Sequence, residues 1–197
     1  MKSVLIPLVP LFEDIEAITV IDVLRRGGVE VTTVSLSDDI SVASAHGVVV
    51  RADCLLAETT GREYDAIVLP GGPVTDALFA SGPLLERLRH QRREGGLIAA
   101  ICAAPTVLTR ARIIDSGVHL TCYPTCEPLL DRPSTREAVT VDGTLITARA
   151  PGSATEFAVA VLSALAGEET AESVTAGMCY QRAPAVTADA FGIKPGS

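Results

Sequence analysis

The sequence has no run of lysine or arginine and no basic face, and its formal net charge is -8. That argues against a nucleic-acid binder, whose footprint is a clustered positive surface. It does not identify an acidic partner. No apolar stretch approaches the roughly 18 residues that a membrane-crossing helix needs. The apolar opening, 1–10, is short and lacks a small-residue cleavage site, so no signal peptide and a cytoplasmic location are expected. No G-x-G-x-x-G follows the first apolar run, which argues against NAD or FAD and leaves no cofactor expected. A disulfide framework is missing too. The five cysteines (Cys54, Cys102, Cys122, Cys126 and Cys179) are odd in number and irregularly spaced, and a reducing cytosol would keep them as thiols. Cys122 and Cys126 are not matched by a second ligand pair. His46, His90 and His119 show no ligand spacing, so no metal is expected.

What is present suits a single soluble domain. The 197 residues are 48% hydrophobic and 20% charged, enough for a full core. A buried strand is expected at 3–9, a helix at 14–26 and a strand at 29–35: a βαβ opening that implies a parallel sheet. Ile15, Ile18, Ile21 and Leu24 recur near helical spacing, and Gly27-Gly28 stops the helix. Further on, the pattern predicts a hairpin within 41–51 and a strand at 65–69 that ends in Pro70-Gly71-Gly72. Helices follow at 74–80 and 83–94, a strand at 97–101, a helix at 105–111 and a strand at 118–122. Residues 127–136 read as a loop. Asp142-Gly143 turns a hairpin at 139–147, and helices close the domain at 153–166 and 169–178. The whole reads as a doubly wound α/β domain over 1–180, with an Ala/Pro/Gly-rich tail over 181–197 that is irregular or mobile.

In such sheets ligands bind beyond the carboxyl ends of the strands. Three strand ends carry candidate chemistry. Cys102 ends an apolar run and is followed by Ala103, Ala104 and Pro105, small residues and a helix-starting proline. The pattern resembles a nucleophile elbow with Cys in place of Ser, where helix N–H groups would favour a thiolate. A plain buried core cysteine is the alternative. Glu16 sits among apolar residues on the face expected to meet the sheet, where desolvation would raise its pKa and suit it to proton transfer. Glu13 and Asp14 need only the preference of acids for a helix start. Gly71-Gly72 is either an ordinary turn or a pair that lets a backbone N–H approach an oxyanion; with Ala103, Gly72 would form the hole. Asp22 interrupts an apolar stretch. Arg25, Arg26 or a subunit partner would balance it in a structural role.

Together these pieces resemble the DJ-1/PfpI family, in its DJ-1/ThiJ-like branch, over about 1–180. The matching pieces are Glu16, Ile21-Asp22-Val23-Leu24-Arg25-Arg26-Gly27-Gly28-Val29, Tyr64 through Gly72, Gly96 through Pro105, and Thr147 through Ser153. The resemblance implies a flavodoxin-like fold, a homodimer and a cofactor-free site. Cys102 would be the nucleophile and oxidation-sensitive thiol, Glu16 its acid/base, and Gly72 and Ala103 the oxyanion donors. Gly71, Cys122 and Tyr123 would lie by the pocket. It also implies glyoxalase or deglycase chemistry on small α-oxoaldehydes such as methylglyoxal. The alternative is a non-enzymatic redox sensor or chaperone. One departure concerns Tyr123, which stands where relatives often carry His. This weakens a third reading, a cysteine peptidase, which needs an imidazole to activate the thiol.

Overall fold

The computed structural model describes residues 1–181, so the tail expected from Gln181 to Ser197 lies, apart from Gln181, outside the described residues. A seven-stranded sheet forms the centre, in the order β5-β2-β1-β6-β7-β9-β8. Its strands are β1 (Ser3–Leu8), β2 (Glu30–Ser35), β5 (Cys54–Leu55), β6 (Ala66–Leu69), β7 (Leu97–Ile101), β8 (Val139–Asp142) and β9 (Leu145–Ala148). Pairings are parallel except for the β8–β9 hairpin at one edge. A separate antiparallel ribbon joins β3 (Ser41–Ala43) to β4 (Val49–Arg51). Among the described residues there are six α-helices: α1 (Asp14–Arg26), α2 (Thr75–Ala80), α3 (Gly82–Arg93), α4 (Pro105–Arg110), α5 (Ala154–Ala166) and α6 (Glu168–Gly177). Helix α5 packs on α1 and α6, while α3 packs on β6 and β7.

The central strands are apolar on both faces because both faces are covered. Val4, Leu5, Ile6 and Leu8 of β1, and all of β6, have no exposed surface, and β7 is buried throughout. Such continuous apolar runs mark parallel sheets flanked by helices. Strand β6 lies between β1 and β7 in register, with Val4 opposite Ala66 and Ala66 opposite Leu97. The carboxyl ends of these three strands are therefore neighbours. The chain winds outward from β1 to β2 and β5, then returns to the other side of β1 as β6. That reversal is where open α/β sheets form a crevice.

The sequence pattern fails at three places. Residues 118–122 form no strand. Strand β9 is already paired to β7 and β8, so no ladder is free for them. They are held instead by single contacts, from the Thr121 N–H to Thr147 Oγ1 at 2.9 Å and from the Tyr123 N–H to the Cys102 carbonyl at 2.7 Å. The stretch expected as a loop at 127–136 is partly a 3-10 turn, Pro124–Leu129. Finally, Ile15 and Ile18 do not share the core face of α1. Glu16, Ala17, Val20, Ile21, Val23 and Leu24 are buried, whereas Ile15 and Ile18 are 55% and 42% exposed.

Candidate active site

The candidate site gathers at the ends of β1, β6 and β7. Ile101 ends β7, and Cys102 follows with φ of 64°. A left-handed backbone at a non-glycine residue is uncommon and strained, and it turns the side chain away from the strand line. Three hydrogen bonds around it secure the turn. The Cys102 N–H donates to the Ala148 carbonyl at 2.9 Å, its carbonyl accepts from Tyr123 at 2.7 Å, and the Ala104 N–H donates to Ile101 at 3.1 Å. The Cys102 side chain is only 7% exposed.

Glu16 reaches the same point from α1. It is fully buried, and its Oε2 accepts the Gly71 N–H at 2.8 Å. Oε1 is also buried and among the described residues accepts no backbone donor, while the carboxyl interacts with the Cys102 thiol. Glu13 anchors the arrangement: its N–H donates to the Gly71 carbonyl at 2.9 Å, and its Oε2 caps α1 by accepting the Glu16 N–H at 2.8 Å. Both polar groups of Gly71 are thus held by the start of α1. Sequence reading assigned Glu13 no more than a helix-start preference. The cap that orients Glu16 became visible only with the fold, because Glu is not among the favoured capping residues.

The two glycines have different reasons to be glycine. A Cβ on Gly71 would lie 2.7 Å from both Cys102 Cβ and Glu16 Oε2. Gly72 has φ of 105°, and a Cβ there would meet the Leu11 carbonyl at 2.5 Å. Without side chains, the Gly72 N–H can approach Cys102 and, with the Ala103 N–H, hydrogen-bond to its sulfur.

Electrostatics correct one expectation. Those amides favour the thiolate, but burial and then the Glu16 charge outweigh them, and the Cys102 pKa rises to about 12. Cys102 therefore rests as a thiol, not as a helix-stabilised thiolate. Burial is also the main influence on Glu16, and the Gly71 bond and the Cys102 contact only partly oppose it; its pKa rises to about 7. A carboxyl poised near neutrality beside a thiol can take the thiol proton as attack begins.

Of the remaining site candidates, Cys122 is wholly buried, and burial, Cys126 and Glu127 raise its pKa to about 12 despite Arg149. It fills space beside the elbow. Tyr123 is 40% exposed and touches the site through its backbone bond to Cys102. The histidines are engaged elsewhere: His46 with Asp14, His90 with Glu63 and His119 with Asp142. Asp22 pairs with Arg26 at 2.7 Å on the surface of α1. A surface cavity of about 490 Å³ lies between the β8–β9 hairpin and α5 and does not include Cys102.

Residues 2–164 match the model of the DJ-1/PfpI family. Drosophila melanogaster protein dj-1beta is 42% identical over 181 residues, covering 90% of this chain and 96% of that protein. The Caenorhabditis elegans glutathione-independent glyoxalase DJR-1.2 is 35% identical over 187 residues, covering 92% and 98%. Some relatives are longer: the chain spans 42% of Arabidopsis thaliana DJ-1 homolog B, at 37% identity over 186 residues. Among solved structures, oxidized Toxoplasma gondii DJ-1 superposes with a TM-score of 0.89 at 33% identity, over 92% of this chain and 100% of that one.

The raised Glu16 pKa has a consequence for stability. Between pH 4.5 and about 7 the folded chain keeps a proton on Glu16 that the unfolded chain has lost. The contribution is full below that window and fades as pH rises through it, by up to about 3 kcal/mol. Glu16→Gln should remove this part of the pH slope while still accepting the Gly71 N–H. Urea unfolding at pH 4.5 and pH 8 measures it; an unchanged slope in the variant would refute the assignment.

Proposed function

This chain belongs to the DJ-1/PfpI family, and on that premise we propose that it converts small α-oxoaldehydes such as methylglyoxal to 2-hydroxy acids without glutathione. The observation that carries this reading is the convergence of a strained, inward-turned thiol, a carboxyl with pKa near 7 and two backbone donors on one sulfur. The glyoxalase named among the relatives points to the same chemistry. The low exposure of Cys102 favours a small substrate.

The steps use only these groups. The Cys102 sulfur adds to the aldehyde carbon while Glu16 takes the thiol proton. The developing oxyanion accepts hydrogen bonds from the Gly72 and Ala103 amides. Protonation of that oxygen by Glu16 completes a hemithioacetal and restores the carboxylate. Glu16 then removes the hydrogen of the former aldehyde carbon and returns a proton to the neighbouring carbon, through an enediol. The product is a thioester of lactate. Water hydrolyses it, releasing lactate and the thiol, so the net change is addition of one water. No imidazole takes part, which fits a mechanism without an amine leaving group better than a peptidase.

A second reading has its own support. The same amides and Glu16 would hold the oxygens of an oxidised Cys102, and the solved Toxoplasma gondii relative is an oxidized form. Redox sensing through a sulfinic acid would use this one site. The five cysteines are all free, which suits a reducing cytosol. A homodimer belongs to the proposal as well. Leu11, Ile15, Ile18, Val48 and Val49 are exposed apolar residues on the loop before α1, on α1 itself and on the adjoining β3–β4 hairpin. The Leu11 N–H to Ala43 carbonyl bond ties these segments together. An apolar patch of this kind marks an interface.

Lactate formation from methylglyoxal, assayed without glutathione, tests the enzyme. Cys102→Ala should abolish turnover, and unchanged turnover would end this reading. Glu16→Gln should lower kcat/KM by about 100- to 10,000-fold. In the wild type kcat/KM should rise through about pH 7 as Glu16 ionises. Mass spectrometry after mild peroxide tests the redox reading: Cys102 should gain oxygen first, and selective oxidation of Cys54 or Cys179 with Cys102 intact would contradict it. Sedimentation tests the dimer. Ile18→Asp should shift the chain to monomer, and a dimer unaffected by this change would place the interface elsewhere.

A further inference from the structure

We propose that Glu13, Asp14 and His46 form a binding site for a divalent transition-metal ion at the rim of the Cys102 site. Each offers one donor atom, and the three donors lie within 4.8 Å of one another. One imidazole nitrogen and two carboxylate oxygens suit ions such as nickel, cobalt or zinc, whose bonds to these atoms are about 2.0–2.2 Å. Small movements of the exposed His46 ring would close that gap, and three protein ligands leave positions for water.

An ordinary surface ion pair does not account for the arrangement. His90 and His119 each meet one carboxylate, Glu63 at 3.1 Å and Asp142 at 3.0 Å. At His46 the Asp14 carboxylate lies 2.6 Å from Nδ1, and a second carboxylate joins them. That second group, Glu13, is only 8% exposed. Its Oε2 is occupied by the Glu16 N–H, and among the described residues no other protein donor serves the carboxylate. That leaves the second carboxylate oxygen of Glu13 open to a cation or water. Asp14 is itself fixed by the Ser44 hydroxyl, so it is held in place with one oxygen toward His46. Two carboxylates carry more negative charge than the roughly half positive charge of the α1 N-terminus opposes. The spacing rules of the sequence could not reveal the set, because His46 comes from the β3–β4 turn and the acids from the start of α1.

Nickel alone serves as the probe, with the full chain. Equilibrium dialysis should find one Ni²⁺ per chain. In proton NMR, substoichiometric Ni²⁺ should broaden the His46 ring signals before those of His90 and His119, which are internal controls. His46→Ala, at an exposed position, should weaken binding at least tenfold. Glu13→Gln should do the same while its amide oxygen still caps α1, with circular dichroism confirming the fold. Cys102→Ser should bind nickel like the wild type. Equal broadening of all the histidines would mean adventitious binding and overturn the proposal. So would undiminished binding in His46→Ala or Glu13→Gln, or loss of binding in Cys102→Ser, which would assign the metal to the thiol.

Discussion

The hydrogen bond from the Gly71 N–H to Glu16 Oε2 is the contact on which the site depends. It fixes a buried carboxyl against the loop after β6, and the returning bond from the Glu13 N–H to the Gly71 carbonyl locks the pair from the other side. The loop between β1 and α1 and the loop after β6 are thereby made one rigid body. Cys102 projects into the space between them. That space exists only because position 71 carries no Cβ, which would collide with both the thiol-bearing carbon and the carboxylate.

Burial sets the proton inventory of this pair. A thiolate and a carboxylate side by side in a dry site repel each other, so the resting state keeps a proton between them. The Gly72 and Ala103 amides are too weak to hold the thiolate alone, but they are already aimed at the sulfur. Such donors act on charge as it develops and need no rearrangement. In the proposed reaction the thiol becomes nucleophilic as its neighbour accepts the proton, with no histidine involved.

Helix α1 serves three environments at once. Its inner face buries Glu16 against the sheet. Its first turn, with Glu13 and Asp14, meets His46 from the ribbon. Its outer face leaves Ile15 and Ile18 apolar and uncovered. These uses explain why its apolar residues do not form one clean stripe: positions 15 and 18 sit near helical spacing with 21 and 24, yet point away from the core.

Much of the fold was legible in the residues. Apolar runs at β1, β6 and β7, punctuated by glycine and proline, determined a parallel α/β sheet, because only strands covered on both faces can be apolar throughout. Small residues and proline after Cys102 determined a tight turn, and the φ of 64° is its physical form. The false strand at 118–122 was locally plausible; only the sheet order, with β9 paired on both sides, excluded it. The sequence by itself thus determined the layers and the turn after β7, and singled out the thiol, carboxyl and glycines that the fold brings together, since these follow from periodicity and local sterics. Tertiary structure alone decided the protonation of Cys102 and Glu16, the capping role of Glu13 and the meeting of His46 with Asp14. Those depend on burial and on distances between segments far apart in the chain, which no local pattern encodes.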